Sequence, residues 1–199
     1  MIDENFFQVL FNNFFKENEG YSYFDLFDNK ELLYGEIPFL EWKKIIEFFK
    51  CSKGNNFIDL GSGIGRVVMQ SYFLYDYKKF VGVELQKTKH QKAISVQEEF
   101  SKLNLKDDVA ISLKNKELLF INDNLFNIDL ANFDVVLLSH PFCEEDRYLE
   151  LEQKFLKELP DGAKIISLIR SLKNENFKKI ASKDFYFSWG NSTVHLFQR

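Results

Sequence analysis

From Asp3 to Lys16, the apolar residues Phe6, Phe7, Val9, Leu10, Phe11, Phe14 and Phe15 recur at mixed three- and four-residue intervals. That spacing makes a broad apolar helix face and predicts an N-terminal helix. Residues 20–30 scatter aromatics among Gly, Ser, Asn and Asp and read as irregular chain leading into Leu32-Leu33-Tyr34-Gly35-Glu36. Pro38 suits the first turn of a second helix, which Leu40, Trp42, Ile45, Ile46 and Phe49 carry towards Cys51.

Beyond Lys53-Gly54-Asn55-Asn56 the pattern changes to short apolar runs separated by amphipathic stretches. Strands are predicted at 57–60, 79–84, 118–121, 133–138 and 163–168, with helices at about 64–75, 87–103 and 144–159. Residues 104–117 favour neither state. Alternation of this kind predicts a parallel sheet with helices on its faces. At the tail, residues 185–189 and 192–197 flank Gly190-Asn191 as a hairpin would, adding an antiparallel edge.

The 199 residues are 45% hydrophobic, enough for one core of substantial size, and no repeat or low-complexity tract divides them. Twenty-six Lys and Arg against 30 Asp and Glu leave a net charge of −4, which disfavours autonomous nucleic-acid binding. Cys51 and Cys143 lie far apart without a metal-ligand spacing, so neither a disulfide framework nor a metal site is expected. The acidic start is unlike a signal peptide, and no apolar run approaches the roughly 18 residues of a membrane span. A cytoplasmic protein without a membrane association is the expectation.

The densest chemical signal is Asp59-Leu60-Gly61-Ser62-Gly63-Ile64-Gly65, between a predicted strand and a helix. Gly61 and Gly63 allow a ligand to approach the main chain, and Gly65 allows close helix–strand packing. Glu84 ends the next strand, where an acidic side chain can accept hydrogen bonds from ribose hydroxyls. A dinucleotide fingerprint would put its third glycine at the position of Arg66, so the spacing points away from a nicotinamide cofactor.

The glycine segment followed by Val81-Gly82-Val83-Glu84 resembles motifs I and II of class I S-adenosylmethionine methyltransferases. More narrowly, Leu33-Tyr34-Gly35-Glu36, then residues 57–70, then Gly82-Val83-Glu84, resemble the non-SET histone-lysine methyltransferases of the disruptor-of-telomeric-silencing type. The likeness runs from about Leu33 to Leu168. It implies an α/β, Rossmann-like class I methyltransferase fold, with an N-terminal helical cap over residues 1–50 and an S-adenosylmethionine-binding catalytic domain over 51–199. On the same resemblance Asp59, Gly61, Ser62 and Gly63, with Gly65 closing the turn, face the methionine portion of S-adenosylmethionine, and Glu84 faces its ribose. Tyr34 and Glu36 cover the cofactor, and Asn124 or its neighbour Asp123 meets the adenine.

After the fourth predicted strand the family carries an Asn-Asn-Phe type element, where this chain has Ser139-His140-Pro141-Phe142. That segment is also similar in part to the Asn/Asp/Ser-Pro-Pro-aromatic motif of enzymes that methylate planar amino groups. Strand ends of this topology line the ligand crevice, so Ser139, His140 and Phe142, with Tyr34, are the candidate acceptor-side residues. Trp189 reads as edge-strand packing. The expected activity is methylation of a protein lysine; a small-molecule or nucleobase amine acceptor, and a cofactor-binding module without catalysis, are the alternatives. A lysine acceptor has a reference pKa near 10.4 and must arrive neutral, which a partly apolar channel favours. The basic run Lys87-Thr88-Lys89-His90-Gln91-Lys92 reads as a solvated helix face.

Overall fold

The computed structural model describes Phe15 and residues 37–199 apart from 104, 106, 140, 141 and 143, with the side chain of 108 also set aside. The N-terminal helix predicted up to Lys16 lies, but for Phe15, outside the described residues, and so do Tyr34, Glu36 and His140.

The first described helix, α1 (Phe39–Phe49), follows Pro38 and turns Trp42, Ile45, Ile46 and Phe49 inward. Its indole donates to Ser71 Oγ at 2.9 Å, so the one polar atom of a fully buried ring is satisfied. The alternating part follows as β1 (Asn56–Leu60), α2 (Arg66–Leu74), β2 (Lys79–Glu84), α3 (Lys87–Ser101), α4 (Asp107–Leu113) and β3 (Glu117–Asn122). Then come a 3₁₀ turn (Leu125–Asn127), β4 (Val135–Leu138), α5 (Glu145–Glu158), β5 (Lys164–Leu168), β6 (Lys178–Phe187) and β7 (Gly190–Gln198). The stretch that favoured neither state in sequence is thus mainly α4, whose Val109 is buried in the core.

The seven strands lie in the order β3-β2-β1-β4-β5-β7-β6. Strands β1 to β5 run parallel, and β7 is antiparallel to both β5 and β6. The expected antiparallel edge is present, but its turn is displaced. Phe187 pairs with Gly190, so Ser188 and Trp189 make the turn and Gly190, at φ 108°, opens β7. Gly190 and Asn191 therefore begin the second strand rather than join the two.

Alternate residues of the central strands feed two cores. Phe57, Phe80, Phe120, Leu137 and Ile166 pack with α1, α2 and α3 on one face. Ile58, Leu60, Val81, Val83, Val136, Leu138 and Ile165 pack on the other, against Tyr148, Leu151 and Phe155 of α5 and the chain around Leu125 to Phe133. Successive strands are laid from β1 outward in one direction as far as β3, then from β4 in the other. The reversal opens a crevice beyond the carboxyl ends of β1 and β4, where ligands bind in sheets of this kind. No helix among the described residues is long and apolar enough to cross a membrane.

Candidate active site

The crevice is floored by the glycine segment. The amides of Gly61 and Ser62 both donate to Val83 O of β2 at 2.9 Å, which folds the chain sharply over the end of β1. Gly63 sits at φ 56° and turns its N–H to Glu84 Oε2 at 2.8 Å. At Gly65, φ is 84°, and a Cβ there would lie 2.7 Å from the Phe120 ring and 3.0 Å from Ala93. The packing role expected of Gly65 is therefore real: α2 and α3 approach β3 only because this position has no side chain. Gly82 was not assigned a role from sequence. A Cβ on it would meet Phe120 at 2.7 Å and Ser62 Oγ at 2.8 Å, so its bare backbone gives the Ser62 hydroxyl its space.

Asp59 and Glu84 lie on the same face of adjacent strands, since Asp59 pairs with Gly82 and Glu84 is two residues on. Glu84 is 8% exposed, and besides Gly63 it accepts from Gln86 N through Oε1 at 2.7 Å. Both donors are main chain, and a carboxylate has lone pairs beyond these two bonds for hydroxyl donors. Asp59 is 2% exposed, hydrogen-bonded by Ser139 from the end of β4. Burial first, then the charge of Glu84, pushes its carboxyl up to about 8, against the opposing effect of Ser139. Asp59 Oδ1 and Ser62 Oγ are buried and meet no hydrogen-bond partner among the described residues. Two buried polar atoms without a partner at the base of one crevice leave hydrogen-bonding capacity for a ligand.

Lys89 corrects the reading of the basic run as a solvated face: Lys87 and Thr88 are exposed, but Lys89 is 4% exposed. Burial lowers the pKa of its ammonium, while the charge of Glu84 opposes that shift. Asn122, another residue sequence reasoning missed, donates through Nδ2 to Glu84 O at 2.8 Å and Leu85 O at 3.0 Å, tying β3 to the loop after β2. Its position one residue beyond the strand predicted at 118–121, where polar chain resumes, was the available signal.

Asp123 and Asn124 are half-buried and occupied locally. Asp123 Oδ1 accepts from Asn124 N at 2.6 Å and from Asn127 Nδ2 at 2.8 Å, while Asn124 Oδ1 caps the 3₁₀ turn at Phe126 N, 3.1 Å away. Both shape the loop beside β2 and β1. On the acceptor side, Ser139 is half-buried and Phe142 is 3% exposed. The Phe142 ring stacks on Phe126 at 6.0 Å, meets Tyr148 edge-on at 4.7 Å and carries the Arg147 guanidinium at 4.7 Å. It is a buried, firmly packed ring of the core just beyond β4. Trp189 stacks on Phe187 at 4.7 Å and bonds Ser192 Oγ, in keeping with an edge-strand role. No group of three or more His, Cys, Asp and Glu side chains among the described residues could hold a metal ion.

S-adenosylmethionine offers an ammonium group, a ribose diol and a sulfonium cation, and this donor set fits the acceptors present. Asp59 Oδ1 and Ser62 Oγ are orphaned at the glycine turn, and the Glu84 carboxylate stands at the end of β2.

Comparison with known proteins agrees with the geometry. The crystal structure of an RNA methyltransferase from Salinibacter ruber in complex with S-adenosyl-L-homocysteine superposes with a TM-score of 0.62 at 20% identity, over 82% of this chain and 92% of that one. TrmN from Thermus thermophilus gives 0.62 at 14% identity, over 85% of this chain and 51% of that one. At these identities the likeness is one of fold. A histone-lysine N-methyltransferase, H3 lysine-79 specific, of Cryptococcus neoformans is 28% identical over 174 residues. These cover 85% of this chain and 26% of the relative, so the chain spans about a quarter of that protein's length. The profile of the family described as histone methylation protein DOT1 matches residues 20–194. The chain, with its glycine turn and Glu84 at the switch point of a class I methyltransferase sheet, belongs to the DOT1 family.

Proposed function

We propose that the chain is an S-adenosylmethionine-dependent methyltransferase acting on a lysine amine of a protein, with histone H3 as the substrate that membership of the family suggests first. The observation that carries this reading is the pair Asp59 and Glu84 at the mouth of β1 and β2, with Asp59 Oδ1 orphaned beside a main-chain turn that leaves room for a ligand. Within it, Asp59, Ser62 and the turn at Gly61 and Gly63 hold the methionine portion, Glu84 holds the ribose, and the loop at Asp123 and Asn124 borders the adenine. Tyr34, Glu36 and His140 belong to the proposal through the resemblance. S-adenosylmethionine supplies an electrophilic methyl group on a sulfonium, which a neutral amine attacks in line.

The residues of the chain align that attack and exclude water, and no nucleophile of the protein's own is required. Ser139 links the two halves of the site, because its hydroxyl reaches Asp59 from the end of β4. The packed ring of Phe142 provides apolar surface near that strand end, and such surface favours the uncharged form of an arriving amine. The net charge of −4 supports a protein acceptor over autonomous binding to nucleic acid. A reducing compartment such as the cytoplasm completes the reading, in keeping with two cysteines that lack a disulfide or metal-ligand spacing.

The test is calorimetric titration with S-adenosylmethionine and S-adenosylhomocysteine, followed by incubation of the chain with methyl-labelled cofactor and recombinant histone H3 or a cell extract. Binding together with label on protein lysines is the expected result. Label confined to RNA or small molecules would move the assignment to the other amines, and absence of binding would sink it.

A further inference from the structure

Ile169 immediately follows β5 and is the residue whose backbone is least at ease among the described side chains. Its φ is 68°, in the left-handed region that β-branched residues avoid. Arg170 N donates to Leu168 O at 2.7 Å across it, closing a three-residue γ-turn of the strained hand. Its side chain is 42% exposed, so the strained residue also leaves much of an apolar side chain in contact with solvent.

The surrounding segment is tied down along its length. Ile169 N donates to Thr193 O of β7 at 2.8 Å. Ser167 Oγ donates to Arg170 O at 2.7 Å. The Arg170 guanidinium lies 4.5 Å from the Tyr148 ring centroid and pairs with Glu145 at 2.6 Å. Glu152, 3% exposed, accepts from Lys173 N and Asn174 N, each at 2.8 Å. Strain persists where the surroundings over-determine the conformation, and here two strands and α5 do so.

A turn alone would be made more readily by Gly or Asn. What the strain maintains is an apolar branched side chain held in the open, at a defined place. Leu138 of β4 pairs with Ser167, which pairs in turn with His195. Ile169 therefore stands one strand over from the end of β4, about 4.8 Å away laterally, just beyond the level of Ser139, whose hydroxyl meets Asp59. That is the rim of the crevice on the side away from the glycine turn.

We propose that Ile169 is a specificity-determining residue for the acceptor, packing on the alkyl stem of the amine that enters the crevice. The proposal rests on the methyltransferase reading above. A four-methylene stem is the chemistry that an exposed isoleucine recognises, and a planar nucleobase amine has none.

The experiment compares the full chain with Ile169→Gly and Ile169→Asn, using recombinant histone H3 and methyl-labelled cofactor. Gly and Asn both accept a positive φ, so these variants keep the turn and remove only the branched side chain. The expected result for Ile169→Gly is a melting temperature at or above that of the parent, an S-adenosylhomocysteine Kd within twofold, and a KM for histone raised about tenfold with kcat changed far less. An unchanged KM in both Ile169 variants would overturn this proposal and leave the methyltransferase reading standing. A parent chain that binds no cofactor, or binds it and labels no lysine, would overturn both.

Discussion

The two ends of the crevice are built by different means. At the glycine turn nearly every restraint is main chain to main chain or reaches no further than the neighbouring strand: Gly61 and Ser62 to Val83, Gly63 and Gln86 to Glu84. At the end of β5 side chains distant in sequence join the main chain, with Glu152 on Lys173 and Asn174 and Glu145 on Arg170. The first construction suits a ligand that stays the same. The second allows the acceptor end to be changed by single side chains without disturbing the first, which is how one fold serves many substrates.

Substitutions at the glycine turn should break the comparison most severely. Gly63→Arg places a long side chain where φ is 56° and the N–H meets Glu84; cofactor binding should be lost in calorimetry while circular dichroism keeps the secondary structure. Gly65→Ala comes next, because its Cβ would enter the Phe120 ring at 2.7 Å. Overpacking and the left-handed conformation together should cost about 3 kcal/mol in urea unfolding. Glu84→Ala removes charged hydrogen bonds and leaves two main-chain donors unpaired, weakening the cofactor by about 1.5–3 kcal/mol. An affinity equal to that of the parent would argue against the ribose role.

The pH dependence sharpens the electrostatic half of the comparison. Asp59 is raised from 3.8 to about 8 in the fold, so the native chain binds more protons than the unfolded one between those values. Its contribution to the stability of the cofactor-free protein is therefore present below about pH 4 and is lost as pH rises through about 8. A cationic ligand favours the ionised carboxylate, so cofactor affinity should climb over the same window, at most about tenfold per pH unit for one proton released. Asp59→Asn should flatten both profiles, and calorimetry in buffers of different ionisation enthalpy reads the proton directly. The smallest effect lies at the acceptor end, where Ile169→Gly relieves a left-handed β-branched residue and should stabilise the chain by about 1 kcal/mol.

Legibility in sequence follows the same division. The strand ends at Leu60 and Glu84 and the acidic residues beside the glycines were readable, because a period of two and three glycines in five residues are local signals. Strand β6 was half missed: residues 178–184 are exposed or half-buried and offer no alternation, as expected of an edge strand with one packed end. The hairpin turn fell two residues early, since Gly190 is a familiar turn residue but the pairing of Phe187 with Gly190 depends on register against β5. Lys89 looked like one member of a solvated run until helix α3 rotated it under Glu84.

What the sequence determined by itself was the alternating architecture, the place of the crevice and the chemistry of its glycine end, because these rest on local backbone preferences and strand order. Only the tertiary structure decided the raised pKa of Asp59, which needs burial in the sheet and Glu84 brought from β2, and the strained turn at Ile169. Arg170 N and Ser167 Oγ close the turn locally, while Thr193 fixes the Ile169 N–H from more than twenty residues away, through a hydrogen bond that exists only once β7 has paired with β5.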